Sequence, residues 1–110
     1  MKHDRVYSTY TQEAASLLGK QVRLGRKQRK WNEHELAERA GISRATLQKI
    51  EKGDLGCALG LVFEVAALVG VKLFDEQPSS IHRHLARIDD KLALLPKSVR
   101  QSRGKVHDDF

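Results

Sequence analysis

Apolar residues recur at helical steps along most of this chain and alternate only once, near residue 72. Between Thr11 and Lys30, Leu18, Val22 and Gly25 share one face, with Leu17 and Leu24 beside it, which predicts a helix. It ends in the run Arg26-Lys27-Gln28-Arg29-Lys30, whose cations suit the negative end of a helix dipole. Gly25 inside that helix costs about 1 kcal/mol relative to alanine, so it predicts a second helix crossing closely there. Residues 1–10 show no period and are expected to be frayed.

Asn32 with Glu35 reads as an N-cap and its capping-box partner, opening a short helix through Ala40. Gly41 supplies a left-handed turn that a residue with a Cβ resists. Ser43 then caps a helix to about Lys52, and Gly53 closes it. Two short helices joined at Gly41 make a helix-turn-helix unit. Leu36, Ala37 and Ala40 can meet Ile42, Leu47 and Ile50 across the turn. Arg44, Ala45, Gln48, Lys49 and Lys52 are left on the other face.

Leu59 to Val69 is apolar all round apart from Gly60 and Glu64, and such a helix must be covered on both sides. Val71-Lys72-Leu73-Phe74 alternates as a short strand would, and the run from Asp75 to Pro78 ends it. Ser79 or Ser80 caps a last helix in which Ile81, Leu85, Ile88, Leu92 and Leu95 form a heptad seam, stopped by Pro96. The remaining stretch is polar and aperiodic, and is expected to be disordered when free.

The expectation is therefore an all-α helix-turn-helix bundle of about five helices, with a short C-terminal strand and an extra amphipathic helix. Its parts are a flexible 1–10, a helix-turn-helix domain over 11–77, a packing helix over 78–95 and a disordered 96–110. The over-apolar helix, the strand and the seam each lack a covering surface, and a two-fold homodimer supplies all three. Whether the seam packs on its mate or folds back on its own core is left open.

Charge sharpens this picture. The 110 residues carry a net charge of +6, and its placement matters more than its size. From Lys20 to Gly53 there are ten Lys or Arg against four acids, so this segment holds the whole excess. A localised positive field is what a polyanion requires. The lone Cys57 cannot form an internal disulfide and reads as a small turn residue. No apolar run is long enough to span a bilayer and no leader opens the chain, so a cytoplasmic protein is expected, nucleoid-associated when bound.

A helix seated in the major groove offers its N-terminal side chains to base edges and its first N–H groups to phosphate. Arg44 and Lys49 can donate to guanine, Gln48 can address adenine, and the Ala45 and Thr46 methyls can touch a thymine methyl. The hydroxyls of Ser43 and Thr46, with Lys52, Arg29 and Lys30, lie where phosphates would pass. A dimer would then read a palindromic double-stranded operator with half-sites about 34 Å apart.

"ELAERAGISRATLQKIEKGD", residues 35–54, resembles the lambda-repressor-like (Cro/CI, XRE) regulators, and the similarity runs from about Leu18 to Phe74. It aligns Ala37, Gly41, Ile42, Leu47, Ile50, Glu51 and Gly53 together. The resemblance implies a structural salt bridge from Arg26 to Glu51 and base reading by Arg44, Ala45 and Lys49. Glu33 departs from the pattern, standing where the family frequently has a phosphate-binding glutamine.

A narrower resemblance joins that motif to "LGLVFEVAALVGVKLFD", "LLPKSVR" and the closing "DDF", and is to the HipB-like antitoxins encoded beside HipA-type kinases. It implies operator repression as a dimer and neutralisation of a HipA-like serine/threonine kinase toxin by binding, with or without a further small component. The tail residues Asp108, Asp109 and Phe110 would then contact the toxin, the ring as anchor; a merely solubilising end is the alternative. A stand-alone repressor, and an interaction module without DNA contacts, are the competing readings.

An enzyme is not expected, for want of a nucleophile with a nearby base, paired carboxylates in an apolar setting or a phosphate-cradling glycine loop. No cofactor or metal is expected either. His82 and His84 lie two residues apart, so on a helix they point apart.

Overall fold

The computed structural model describes residues 5–74 and 78–99. Five helices follow in order: α1 Thr9–Gln28, α2 Glu33–Ala40, α3 Arg44–Glu51, α4 Leu59–Leu68 and α5 Pro78–Ala93. Among the described residues the fold is the expected all-α bundle, built on a helix-turn-helix of α2 and α3.

α1 begins two residues ahead of the expected Thr11, because the Ser8 hydroxyl accepts the Thr11 N–H at 3.2 Å and caps the helix. Its buried line is Gly19, Val22, Gly25 and Arg26. Leu17 and Leu24 flank that line and stay largely exposed. Gly25 has the expected reason: a Cβ there would lie 2.7 Å from the Val69 carbonyl oxygen, where the end of α4 crosses. Gly19, which the residue pattern did not single out, is as tight. A Cβ on it would stand 2.6 Å from the carbonyl oxygens of both Ile50 and Glu51. An alanine at either site must push backbone aside, so α1 rests directly on the ends of α3 and α4.

α2 is opened by a complete capping box: the Asn32 side chain accepts the Glu35 N–H and the Glu35 carboxylate accepts the Asn32 N–H, both at 2.8 Å. Gly41 ends it in the left-handed region at φ 73° and ψ 32°. The Ile42 N–H then donates to the Ala37 carbonyl at 3.0 Å, which fixes the angle at which α3 departs. Ser43 caps α3 by accepting the Thr46 N–H at 3.0 Å.

α3 packs on both α1 and α2, and α2 also packs on α4. The shared core is Val22, Leu36, Ala37, Leu47, Ile50, Val65, Ala66 and Val69. Leu36, Leu47, Val22 and Val65 are fully buried, and each stabilises the fold by about 1.5–3 kcal/mol relative to exposure. Because α3 contributes its inner residues to this core, its outer face is held rigidly toward solvent.

α4 has no side-chain cap. It buries Val65 and Ala66, while Leu59, Leu61 and Phe63 keep substantial exposure. The expected strand at Val71–Phe74 does not form: those residues run as coil and bend, and no strand occurs among the described residues. A strand needs a neighbour for its N–H and C=O groups, and the described residues offer none. The Val71 N–H is already spent on the Ala66 carbonyl at 2.9 Å, closing α4 beyond Gly70.

The chain divides into two compact units, one ending at Leu73 and the other starting at Phe74. In the second unit, α5 spaces Ile81, Leu85, Ile88 and Leu92 along one face, each about half exposed.

Candidate nucleic-acid interface

The outer face of α3 is built on a buried ion pair. Arg26 of α1 reaches the last residue of α3: its Nε donates to Glu51 Oε2 at 2.7 Å and its Nη2 to Glu51 Oε1 at 3.0 Å. A third donor, Nη1, caps the Trp31 carbonyl at 3.1 Å. Both side chains are more than nine-tenths buried. The hydrogen bond to Glu51 leads in raising the Arg26 pKa above its ordinary value, against the opposing cost of burial. The fork therefore ties α1, the α1–α2 turn and α3 together, and α3 cannot roll about its axis without breaking it.

On this base stand Arg44, Ala45, Gln48, Lys49 and Lys52. Arg44, Ala45, Lys49 and Lys52 are exposed, and Gln48 is half-buried. Arg44 and Lys49 lie five residues apart, about 140° around the helix, so they flank the exposed face from successive turns, with Ala45 and Gln48 between them. Ser43 and Thr46 are already joined to each other. Besides the cap, the Ser43 hydroxyl donates to Thr46 Oγ1 at 3.0 Å. A helix start leaves its first N–H groups without intrahelical partners, and this cap takes only that of Thr46, so the start of α3 keeps donors for a phosphate.

Arg29 and Lys30, expected to lead phosphates into the motif, occupy special positions. Arg29 Nη1 donates to the Gly25 carbonyl at 3.4 Å, and a Cβ on Gly70 would lie 2.9 Å from its Nη2. It is thus docked against the ends of α1 and α4. Lys30 adopts a left-handed backbone at φ 60°, which costs a residue with a Cβ about 1–2 kcal/mol. That turn lets the Trp31 N–H donate back to the Arg26 carbonyl at 3.2 Å.

Two features escape a reading of the sequence alone. Trp31 packs on the core with the Arg39 guanidinium 4.2 Å from its ring centroid, a cation–π stack that pins the α1–α2 turn. Glu33, at the start of α2, faces α3: its Oε1 accepts a hydrogen bond from Gln48 Nε2 at 2.9 Å and lies 3.6 Å from Arg44 Nε. The bond from Gln48 is the leading cause that holds the Glu33 carboxyl below its ordinary pKa, aided by the charges of Arg26, Arg44 and Arg23 and opposed by desolvation. Its carboxylate stays ionised through the neutral range.

Cys57 sits half-buried in the turn before α4, and desolvation, helped by Asp54, raises its thiol pKa, which keeps it in the unreactive protonated form. No group of three His, Cys, Asp or Glu among the described residues could hold a metal ion. No helix there is long and apolar enough to cross a membrane. The tail residues Asp108, Asp109 and Phe110 lie outside the described residues.

Residues 22–74 match the family model described as Helix-turn-helix. The chain is also 42% identical over 43 residues to an uncharacterized HTH-type transcriptional regulator of Methanocaldococcus jannaschii. That match covers 39% of this chain and 65% of the relative, so the chain spans just under two thirds of that protein's length. No solved structure gives a significant match.

Proposed function

We propose that this chain, whose residues 22–74 match a helix-turn-helix family model, is a sequence-specific DNA-binding regulator that represses transcription. The observation that carries the reading is α3 itself. Its inner face is locked into the core and to Arg26, while Arg44 and Lys49 stand exposed on the two flanks of its outer face. Bound in the major groove, the helix reads guanine through these two and adenine through Gln48, while Ser43, Thr46, Lys52 and the basic end of α1 meet the backbone.

Titration of the full chain with duplex DNA at several salt concentrations tests this. Each phosphate neutralised contributes about −0.9 to the slope of log affinity against log salt. A steep negative slope, with one family of sequences enriched over the rest, is expected. Salt-independent or sequence-blind association would reject the reading.

The finer reading is an antitoxin acting as a homodimer on a palindromic operator and binding a HipA-like kinase toxin. It rests on the resemblance of residues 59–74, of "LLPKSVR" and of the closing "DDF" to HipB-like antitoxins. The exposed apolar residues of α4 and the half-exposed face of α5 favour a covering chain. A stand-alone repressor fits the family match equally well. Deleting Val106–Phe110 distinguishes them: retention of a kinase from the host should fall severalfold while operator binding is spared. A full chain that retains no kinase at all leaves the stand-alone repressor.

A further inference from the structure

Glu33 is an anomaly in a surface proposed to meet phosphate. The capping box at this helix start is completed by Asn32 and Glu35, so Glu33 is not needed there and its carboxylate is available to α3. It spends that freedom on the two side chains closest to the proposed base-reading role, Gln48 at 2.9 Å and Arg44 at 3.6 Å, through the same oxygen.

The chemistry of the partner decides how the amide points. An ionised carboxylate only accepts hydrogen bonds, so the NH2 end of Gln48 must face it and the amide carbonyl must turn away. A neutral amide at position 33 could present either end and would let Gln48 flip. With one N–H committed to Glu33, Gln48 keeps one N–H and its carbonyl for a ligand. That donor–acceptor pair matches adenine, which shows the N7 acceptor beside the N6 amino donor in the major groove. Guanine shows two acceptors, N7 and O6, and would set O6 against the held carbonyl. Arg44 is less constrained. Its side chain is 62% exposed, and an exposed ion pair at this separation holds weakly, so it can swing to a guanine.

We infer that Glu33 is a specificity-determining positioning residue, whose carboxylate holds the Gln48 amide in the one orientation that accepts adenine and refuses guanine at a single base pair of each half-site. The inference rests on the DNA-reading role proposed above. Its negative charge also lies on the face proposed to meet DNA, 3.6 Å from Arg44, so Glu33 trades overall affinity for discrimination, and the two effects can be measured apart.

The test is selection of bound duplexes from a random library by the full-length wild type, Glu33→Gln and Gln48→Ala, followed by competition between duplexes differing at one base pair. The wild type should favour adenine over guanine at the Gln48 position by about tenfold, within the range of a single bidentate contact. Glu33→Gln should bind all duplexes more tightly, while its preference at that one position falls below about threefold and the preferences at other positions stay. In a Gln48→Ala background, Glu33→Gln should no longer alter the choice of base. A merely structural role for Glu33 would shift all sequences alike and move no single position. Equal unfolding midpoints establish that the variants are folded. If Glu33→Gln keeps the wild-type preference, the inference is overturned while the DNA-reading role stands. If the wild type enriches no sequence, the DNA-reading role itself falls, and this inference with it.

Discussion

Replacing Glu51 by alanine should destabilise the domain by about 3–5 kcal/mol, the usual consequence of removing one member of a buried ion pair. Small domains hold only about 5–15 kcal/mol in total, so the variant should be partly unfolded at modest temperature. The reason is the charge left behind. Arg26 is 6% exposed, and without Glu51 it keeps only the Trp31 carbonyl as a partner. Urea unfolding followed by circular dichroism and by the fluorescence of Trp31, the single tryptophan, reads the effect from two places. Changing both members, Arg26→Met with Glu51→Leu, removes the stranded charge together with the pair, and should restore most of the lost stability. A Glu51→Ala variant within about 1 kcal/mol of wild type would show that the pair is not a buried, saturated bridge.

This pair also marks how far the sequence could be read. Features decided within a few residues were legible, since their causes are local. The Asn32–Glu35 capping box, the Ser43 cap and the left-handed Gly41 each appear where residue type and spacing put them. Gly25 was legible for a different reason: a glycine in a good helical pattern is costly, so its presence announced the crossing by α4. Gly19 carries the same signal, and the Ile50 and Glu51 carbonyls answer it in the same way.

The contacts that give the α3 face its character were not legible. Glu33 and Gln48 are fifteen residues apart, on two helices. Their meeting depends on the angle that Gly41 and the core impose. By residue type alone, Glu33 is only the wrong residue for a phosphate contact. Trp31 under Arg39 and the left-handed Lys30 likewise follow from where the α1–α2 turn must go, not from local preference. The strand failed for the opposite reason. Alternation at Val71–Phe74 is a local signal, but a strand exists only if a second one is present to pair with it, and the Val71 N–H had a nearer acceptor at the end of α4.

The second large effect separates readout from folding. Arg44→Ala combined with Lys49→Ala should leave the unfolding curve in place, because both side chains are exposed and neither belongs to the core. Binding to the preferred duplex should nevertheless collapse. Two base contacts of about 1–3 kcal/mol each amount to roughly 30-fold to 20,000-fold in affinity. Residual attraction to any duplex should persist, since Arg23, Lys27, Lys30 and Lys52 remain to neutralise phosphate, with a salt slope shallower by no more than about two units per chain. Competition binding against preferred and scrambled duplexes, with a promoter reporter in cells, measures both parts. The preferred duplex should keep over scrambled ones only the modest advantage that Gln48 still reads, and the reporter should be derepressed. Glu51→Ala also derepresses, but through loss of folded protein, and the unfolding curve tells the two apart. A folded double variant that still occupies its promoter as the wild type does would mean that some other surface reads the DNA, and the outer face of α3 would lose its claim to base recognition.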